Sequence, residues 1–109
     1  MRKNKNQVNP EEHEVKRVRL PKKDQVLGVV INKMGGRHFK VFCTDGHERL
    51  CRIPGGKKRG MWIDLDCFVI VKIWEVQGDE RGDIIFKYRK AEIVWLQKNG
   101  YLDKLKDFL

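Results

Sequence analysis

The residues whose types and spacing could do chemistry are concentrated between positions 53 and 63. This segment reads Ile-Pro-Gly-Gly-Lys-Lys-Arg-Gly-Met-Trp-Ile and lies between two stretches with the composition of β-strands. Glycine lets a backbone approach a ligand closely, and lysine and arginine neutralise phosphates. A neighbouring tryptophan offers a flat face for an unpaired base. The loop therefore predicts contacts with single-stranded or folded RNA, made by Lys57, Lys58, Arg59 and Trp62.

The charge balance of the chain also favours an anionic partner. The 109 residues contain 24 Lys and Arg against 15 Asp and Glu, which gives a formal net charge of +9. A domain this basic is typical of nucleic-acid-binding proteins, although a protein can be basic without such a partner. No apolar run approaches the ~20 residues that span a bilayer, and no apolar segment follows the N-terminal cations as in a signal peptide. We therefore expect no membrane association.

The cysteines and histidines do not form a recognisable metal or disulfide pattern. Cys43, Cys51 and Cys67 are odd in number and contain no Cys-x-x-Cys pair. A hairpin could bring His38 and His47 near two of these cysteines, as metal ligands or as a Cys–His pair, but the spacing matches no known zinc site. We expect reduced, buried thiols, no cofactor and a cytoplasmic location.

Candidates for catalysis are equally weak. Serine is absent and Thr44 is the only threonine, which excludes a serine nucleophile. Asp64 and Asp66 could share a face as an acid–base or Mg²⁺ pair, but their place before an apolar strand is more typical of a turn. The sequence therefore predicts a protein that is not an enzyme.

Hydrophobic patterning predicts five short strands after Asp24, followed by two short helices. Gly28, inside the first strand, predicts a bend or a close backbone approach. Asp45-Gly46 is a hairpin signal, and Asn99-Gly100 is a helix stop. The fourth strand is apolar on both faces, so the helices should cover its outer side. The predicted strands are residues 26–31, 37–43, 48–53, 67–74 and 83–89.

These elements predict a mainly β fold, a five-stranded antiparallel OB-fold barrel with C-terminal helices packed on it. An SH3-like barrel is the structural alternative. Residues 1–23 are too poor in apolar side chains to form a core, which predicts a flexible basic N-terminal arm. The barrel then covers residues 24–90 and the helical extension residues 91–109. The arm's expected RNA contacts are Arg2, Lys3, Lys5, Lys16, Arg17 and Arg19.

Several segments together closely resemble the translation initiation factor 1A family, in its archaeal and eukaryotic form with an S1-like OB domain. They are residues 43–53, the basic loop ending in Met61-Trp62-Ile63, Asp66 before an apolar strand, and residues 84–88. The resemblance runs from about Asp24 to the end of the helical region. The chain ends at Leu109 without the long acidic tail of eukaryotic members, which favours an archaeal type.

The resemblance implies a non-catalytic, monomeric factor that binds ribosomal RNA at the decoding (A) site of the small ribosomal subunit. Such factors promote subunit dissociation and stabilise initiator methionyl-tRNA, alongside other initiation factors. The alternative is a general OB-fold single-stranded RNA chaperone; an RNA-processing enzyme subunit is a distant third.

Either Phe39 or Phe42 is expected to be exposed for base stacking. By position, the barrel contacts fall on Arg37, Lys40, Arg49 and Arg52, to which the strand-five cations Lys87 and Arg89 are added.

Overall fold

The computed structural model describes residues 18–54 and 62–109. The predicted RNA contacts at Arg2, Lys3, Lys5, Lys16, Arg17, Lys57, Lys58 and Arg59 lie outside the described residues. The elements, in chain order, are β1 (Gln25–Gly35), β2 (His38–Cys43), β3 (Glu48–Arg52), β4 (Phe68–Ile73), β5 (Arg81–Lys87), α1 (Lys90–Lys98) and a 3₁₀ helix (Asp103–Phe108).

The five strands close into a barrel in the order β1-β2-β3-β5-β4, which confirms the predicted OB-type architecture. The expectation that every pair is antiparallel is wrong for one pair, because β3 and β5 run parallel, with Leu50 opposite Arg81. A closed ring with an odd number of strands cannot alternate in direction all the way round. One parallel pair is therefore a consequence of closure, and the other four pairs are antiparallel.

The barrel interior is a tightly packed apolar cluster contributed by all five strands. Alternate residues of each strand point inward because successive side chains of a strand face opposite sides. A side chain at Gly28 would put its Cβ 2.5 Å from Val41 Cγ1 and 3.2 Å from the Phe42 carbonyl oxygen, so the predicted close approach is confirmed. The interior cluster comprises Val30, Phe39, Val41, Cys43, Cys51, Ile63, Val69, Val71 and Ile84.

A second apolar cluster lies outside the barrel, beneath the C-terminal helices. It joins the outer face of β1 and β4 to the leucines of the helical region, as the apolar fourth strand predicted. Gly100 adopts a φ of +81° directly after Asn99, where the helix stop was expected. Leu105 is buried in the 3₁₀ helix, and Leu102, the N-cap residue of that helix, is buried beside it in the same cluster. The cluster comprises Leu27, Val29, Phe68, Ile70, Tyr88, Leu96, Leu102 and Leu105.

The end of the predicted arm contacts this outer cluster. Val18 packs against it, and the Tyr88 hydroxyl donates a hydrogen bond to the carbonyl oxygen of Arg19. The Arg19 guanidinium lies 5.1 Å from the centre of the Phe86 ring. Residues 18 and 19 therefore anchor the chain to the barrel at the point where the basic segment meets it.

Candidate nucleic-acid interface

A groove of about 410 Å³ opens where the β1–β2 turn meets the connection between β3 and β4. It adjoins both ends of the basic loop, since Ile53 and Trp62 contribute to its wall. Two cationic side chains and a histidine line it, and no carboxylate does within the described ranges. We call it the Trp62 groove; its wall includes Lys33, Arg37, His38, Phe39, Ile53 and Trp62.

The side chain of Trp62 is presented to solvent on a fixed backbone. Its exposed fraction is 74%, whereas the next residue, Ile63, is only 6% exposed and packs into the barrel interior. The Lys87 ammonium donates a hydrogen bond of 2.7 Å to the Trp62 carbonyl oxygen. Trp62 therefore does not close the barrel as a core residue, and its ring is free to stack on a base.

Arg37 lies at the tip of the β1–β2 turn. Gly35, Gly36 and Arg37 have φ values of +79°, +57° and +65°, so the turn requires the left-handed region three times in succession. Glycine adopts that region without steric cost, which explains the glycine pair before the arginine. The Arg37 side chain is exposed and takes part in no ion pair with another described residue.

Lys33 reaches the same groove from β1, but its charge is shared with a carboxylate. Its ammonium lies 3.1 Å from Asp64, and both side chains are about half exposed. A hydrogen bond from the Leu65 N–H, together with Lys33, holds the pKa of Asp64 below its usual range. Asp64 therefore accepts a hydrogen bond from the turn that follows it, which agrees with the predicted turn role.

Arg49 is the clearest correction to the predicted interface. Only 1% of its side chain is exposed, and its two terminal nitrogens donate hydrogen bonds to Asp45 at 2.9 and 2.7 Å. Its Nε donates to the Gly78 carbonyl oxygen at 2.5 Å. Arg49 and Cys51 do share a face of β3, but that face is the inside of the barrel. The guanidinium joins the β2–β3 turn to the β4–β5 turn and cannot reach RNA.

The environment of Arg49 sets the ionisation of its neighbours. Its hydrogen bonds hold the pKa of the Asp45 carboxyl below its usual range, despite partial burial. Burial raises the pKa of the Cys43 thiol to about 11, and burial also raises the pKa of Cys51. Both thiols are therefore protonated at neutral pH. All three cysteines are free; the predicted burial is confirmed for Cys43 and Cys51, whereas Cys67 is only partly buried. The described residues contain no group of three or more His, Cys, Asp or Glu side chains placed to hold a metal ion.

The remaining predicted contacts are dispersed around the barrel. Lys40 is partly exposed on the outer face of β2. Arg52 is directed away from the Trp62 groove, because its Nε donates to Asp83 at 3.1 Å and its guanidinium lies 5.0 Å from the Trp74 ring. Arg89 is the N-cap of α1, with Glu92 3.6 Å from its Nε. The structure therefore gathers Arg37, Trp62 and Lys87 at one end and leaves the others apart.

Neither phenylalanine of β2 is well placed for stacking. Phe39 is 8% exposed and belongs to the barrel interior. Phe42 is half-buried outside the barrel, with its ring 5.6 Å from that of Phe108. The expectation that one of them is exposed is wrong, because the inner face of β2 packs into the core and the C-terminal helix covers Phe42.

The sequence-based prediction missed Lys33 and His38 as groove residues. The first strand predicted from the sequence stops at Ile31, whereas β1 in the structure continues to Gly35, with a register shift between Val30 and Asn32. The Gly35-Gly36 turn was the available signal: a strand extended to that turn places Lys33 opposite Phe39, beside the loop.

In the part of the chain that the structure describes, no helix is long and apolar enough to cross a membrane.

Sequence comparisons with known proteins identify one family. The family model described as Translation initiation factor 1A / IF-1 matches residues 15–108. Translation initiation factor 1A of Methanothermobacter thermautotrophicus is 47% identical over 89 residues, covering 82% of this chain and 90% of that protein. The Thermococcus kodakarensis protein of that name is 44% identical over 109 residues, covering 98% and 92%. A solution structure of translation initiation factor IF-1 from a Wolbachia endosymbiont of Brugia malayi matches 61% of this chain and 78% of its own, with 24% identity and a TM-score of 0.49.

Proposed function

The chain belongs to the translation initiation factor 1A / IF-1 family, and on this premise we propose that it binds ribosomal RNA at the decoding (A) site of the small ribosomal subunit. Bound there, it promotes subunit dissociation and stabilises initiator methionyl-tRNA together with other initiation factors. It acts in the cytoplasm as a monomer. The family is non-enzymatic, which confirms the prediction that the chain is not an enzyme.

The observation that carries this proposal is the Trp62 groove. An indole that is 74% exposed lies in the same groove as Arg37, which forms no ion pair with a described residue, and Lys33, whose charge is shared with Asp64. Proteins recognise folded RNA through phosphates, 2′-hydroxyls and unstacked bases, and this groove offers partners for phosphates and bases. Lys57, Lys58 and Arg59 follow Pro54 in sequence and add phosphate contacts next to the same groove.

Arg49 is not part of the proposed interface, and Arg52 and Arg89 have only a peripheral place in it. The central contacts are Arg37, Trp62 and Lys87, with Lys40 on the adjoining outer face of β2. Arg19 approaches from the arm, whose earlier cations extend the proposed contact along the subunit. A site assembled from a barrel end, a loop and an arm favours a structured RNA surface over an isolated single strand.

The test is binding of the labelled protein to purified archaeal small ribosomal subunits, with excess unrelated single-stranded RNA as competitor. Saturable one-to-one binding that survives the competitor is expected. Complete displacement by the competitor would support the alternative, a general OB-fold RNA chaperone. Binding that is saturable but independent of the loop would move the interface elsewhere.

A triple variant, Lys57→Ala, Lys58→Ala and Arg59→Ala, locates the contact within the chain. The matched control removes three exposed cations from the C-terminal region, Lys98→Ala, Lys104→Ala and Lys106→Ala, and so has the same net charge. Each lost phosphate contact lowers the log–log salt slope by roughly 0.7–0.9. The loop variant should therefore lose affinity and slope, while the control keeps both.

A further inference from the structure

A second groove, of about 700 Å³, lies outside the barrel where β3, β4 and β5 meet. We call it the Trp74 groove. Among residues 18–54 and 62–109, it has no lining residue in common with the Trp62 groove. Its wall combines an indole, an exposed aliphatic side chain and charges of both signs, from residues that include Asp24, Arg52, Trp74, Glu75, Val76 and Asp83.

The indole of Trp74 is held in place from several directions. Its Nε1 donates a hydrogen bond of 3.0 Å to Asp83 Oδ1, the same oxygen that accepts from Arg52 Nε at 3.1 Å. The Arg52 and Arg81 guanidinium carbons lie 5.0 and 5.8 Å from the centre of the ring. A side chain that is already ordered loses little entropy on binding, and Trp and Arg are the residues most often found at the centre of protein interfaces.

An apolar anchor site lies next to this indole. Val76 is 74% exposed, the same fraction as Trp62, and Ile73 of β4 lies in the groove wall with it. Covering the Val76 and Ile73 side chains with an apolar group of a partner would remove apolar surface from water, which stabilises a complex. The barrel itself gains nothing from Val76, because the β4–β5 turn holds it clear of both apolar clusters.

The charges of the groove favour a protein partner over RNA. Three carboxylates line it, from Asp24, Glu75 and Asp83, against two cations, Arg52 and Lys72. Asp83 is paired with Arg52, whereas Asp24, Glu75 and Lys72 form no ion pair within residues 18–54 and 62–109, which leaves two unpaired carboxylates against one unpaired cation in the wall. Two unpaired carboxylates repel phosphate groups and attract basic side chains. The Trp62 groove has the reverse balance.

We propose that the Trp74 groove binds a segment of a partner protein in which an apolar side chain is flanked by basic residues. The apolar side chain packs between Val76 and the Trp74 ring, and the flanking cations pair with Glu75 and Asp24. Because the two grooves share no residue, RNA at the Trp62 groove and the partner segment at the Trp74 groove can be held at the same time.

The three tryptophans allow both grooves to be followed in one experiment. Trp62 lies in the Trp62 groove and Trp74 in the Trp74 groove, whereas Trp95 stacks on Tyr101 and is a lining residue of neither groove. Their indole N–H signals in a ¹⁵N–¹H spectrum of the full chain are assigned with Trp62→Phe, Trp74→Phe and Trp95→Phe variants. The probes are a short peptide with a leucine between flanking lysines, the same peptide with glutamates for lysines, and a short single-stranded RNA.

The lysine peptide is expected to shift the Trp74 signal, the glutamate peptide to leave it unchanged, and the RNA to shift Trp62 alone. Glu75→Lys should weaken binding of the lysine peptide roughly tenfold. Glu48→Lys changes an exposed acid on β3, with the same change in net charge, and should leave that binding unchanged. Val76→Ser should weaken binding of the lysine peptide several-fold, whereas Leu65→Ser, which also removes an exposed apolar side chain, should leave that binding unchanged.

Three results would overturn the proposal. They are a Trp74 signal that responds to neither peptide, equal responses to both peptides, and a response to the lysine peptide that survives Glu75→Lys and Val76→Ser. A Trp74 signal that shifts with RNA would assign the groove to nucleic acid instead. None of these outcomes bears on the small-subunit test, which depends on the Trp62 groove and the basic loop.

Discussion

The two ends of the barrel are built alike and expose opposite charge. Each combines a glycine turn with an arginine: Gly35-Gly36-Arg37 at one end, and Gly46 with Arg49 at the other. Arg37 points into solvent beside Trp62, whereas Arg49 is enclosed by Asp45 and the Gly78 carbonyl. Asp45, Asp79 and Glu80 then leave the second end acidic. The arginine at one end is proposed to bind RNA, whereas the arginine at the other end forms an enclosed ion pair, according to what surrounds it.

The largest effect is expected from breaking the enclosed pair. Asp45→Asn leaves the buried Arg49 cation without its counter-charge and should lower the free energy of unfolding by about 3 kcal/mol. This is the lower end of the range of destabilisation seen when one partner of a buried ion pair is removed. The lower end applies because 33% of the Asp45 side chain is exposed. Denaturant unfolding measures the loss, and RNA affinity of the folded variant should be unchanged.

Asp79→Asn is the matched control at the same end, because the Asp79 side chain is 80% exposed and only meets His47 at 3.5 Å. Its unfolding free energy should stay within about 0.5 kcal/mol of the parent. Equal losses of unfolding free energy for both variants would mean that stability depends on the net charge at this end of the barrel and not on the Asp45–Arg49 ion pair.

The second effect tests the opposite end. Trp62→Ala should weaken RNA binding by about 2 kcal/mol, roughly 30-fold, because one base loses its stacking partner. Since the indole is largely exposed, thermal unfolding should hardly change. Leu65→Ala removes a half-exposed apolar side chain three residues away and should change neither property. A stability loss without a binding loss would make Trp62 structural and remove the difference between the ends.

The third effect is the pH dependence of stability. The folded pKa of Asp45 lies below its unfolded value of about 3.9, so its stabilisation is complete above that value and is lost as pH falls towards the folded pKa. As pH falls below about 4, the unfolding free energy of the parent should therefore decrease more steeply than that of Asp45→Asn. Parallel pH profiles would show that Asp45 ionisation does not stabilise the fold.

The smallest effect concerns a single phosphate contact. Arg37→Gln should lower the log–log salt slope of RNA binding by roughly 0.7–0.9 with no change in stability. Lys98→Gln, an exposed cation on α1, serves as the control and should leave the slope as it was. An unchanged slope in the Arg37 variant would place that side chain outside the RNA contact.

Most of the fold was predictable from local signals. Valine- and isoleucine-rich runs gave the strands, Asp45-Gly46 gave the hairpin, and the two-sided apolar character of β4 predicted a helical cover. The residues of the site were less predictable. Trp62 was predicted from the composition of the basic loop and Arg37 from its position in the family resemblance, whereas Lys33 was missed because the predicted first strand stopped at Ile31, at the register shift of β1.

The sequence by itself determined the barrel, its helical cover and the family, because patterns of period two, turn residues and motifs act over a few neighbouring positions. It also placed Arg49 and Cys51 on a common face of β3. Only the tertiary structure decided that this face is the interior. Alternation says which residues share a side, but closure of the sheet decides which side is enclosed, and here it surrounds the guanidinium with acceptors from two distant turns. The same closure brought Arg52 of β3 beside Asp83 of β5 and the Trp74 indole, contacts between residues far apart in sequence that no local pattern predicted.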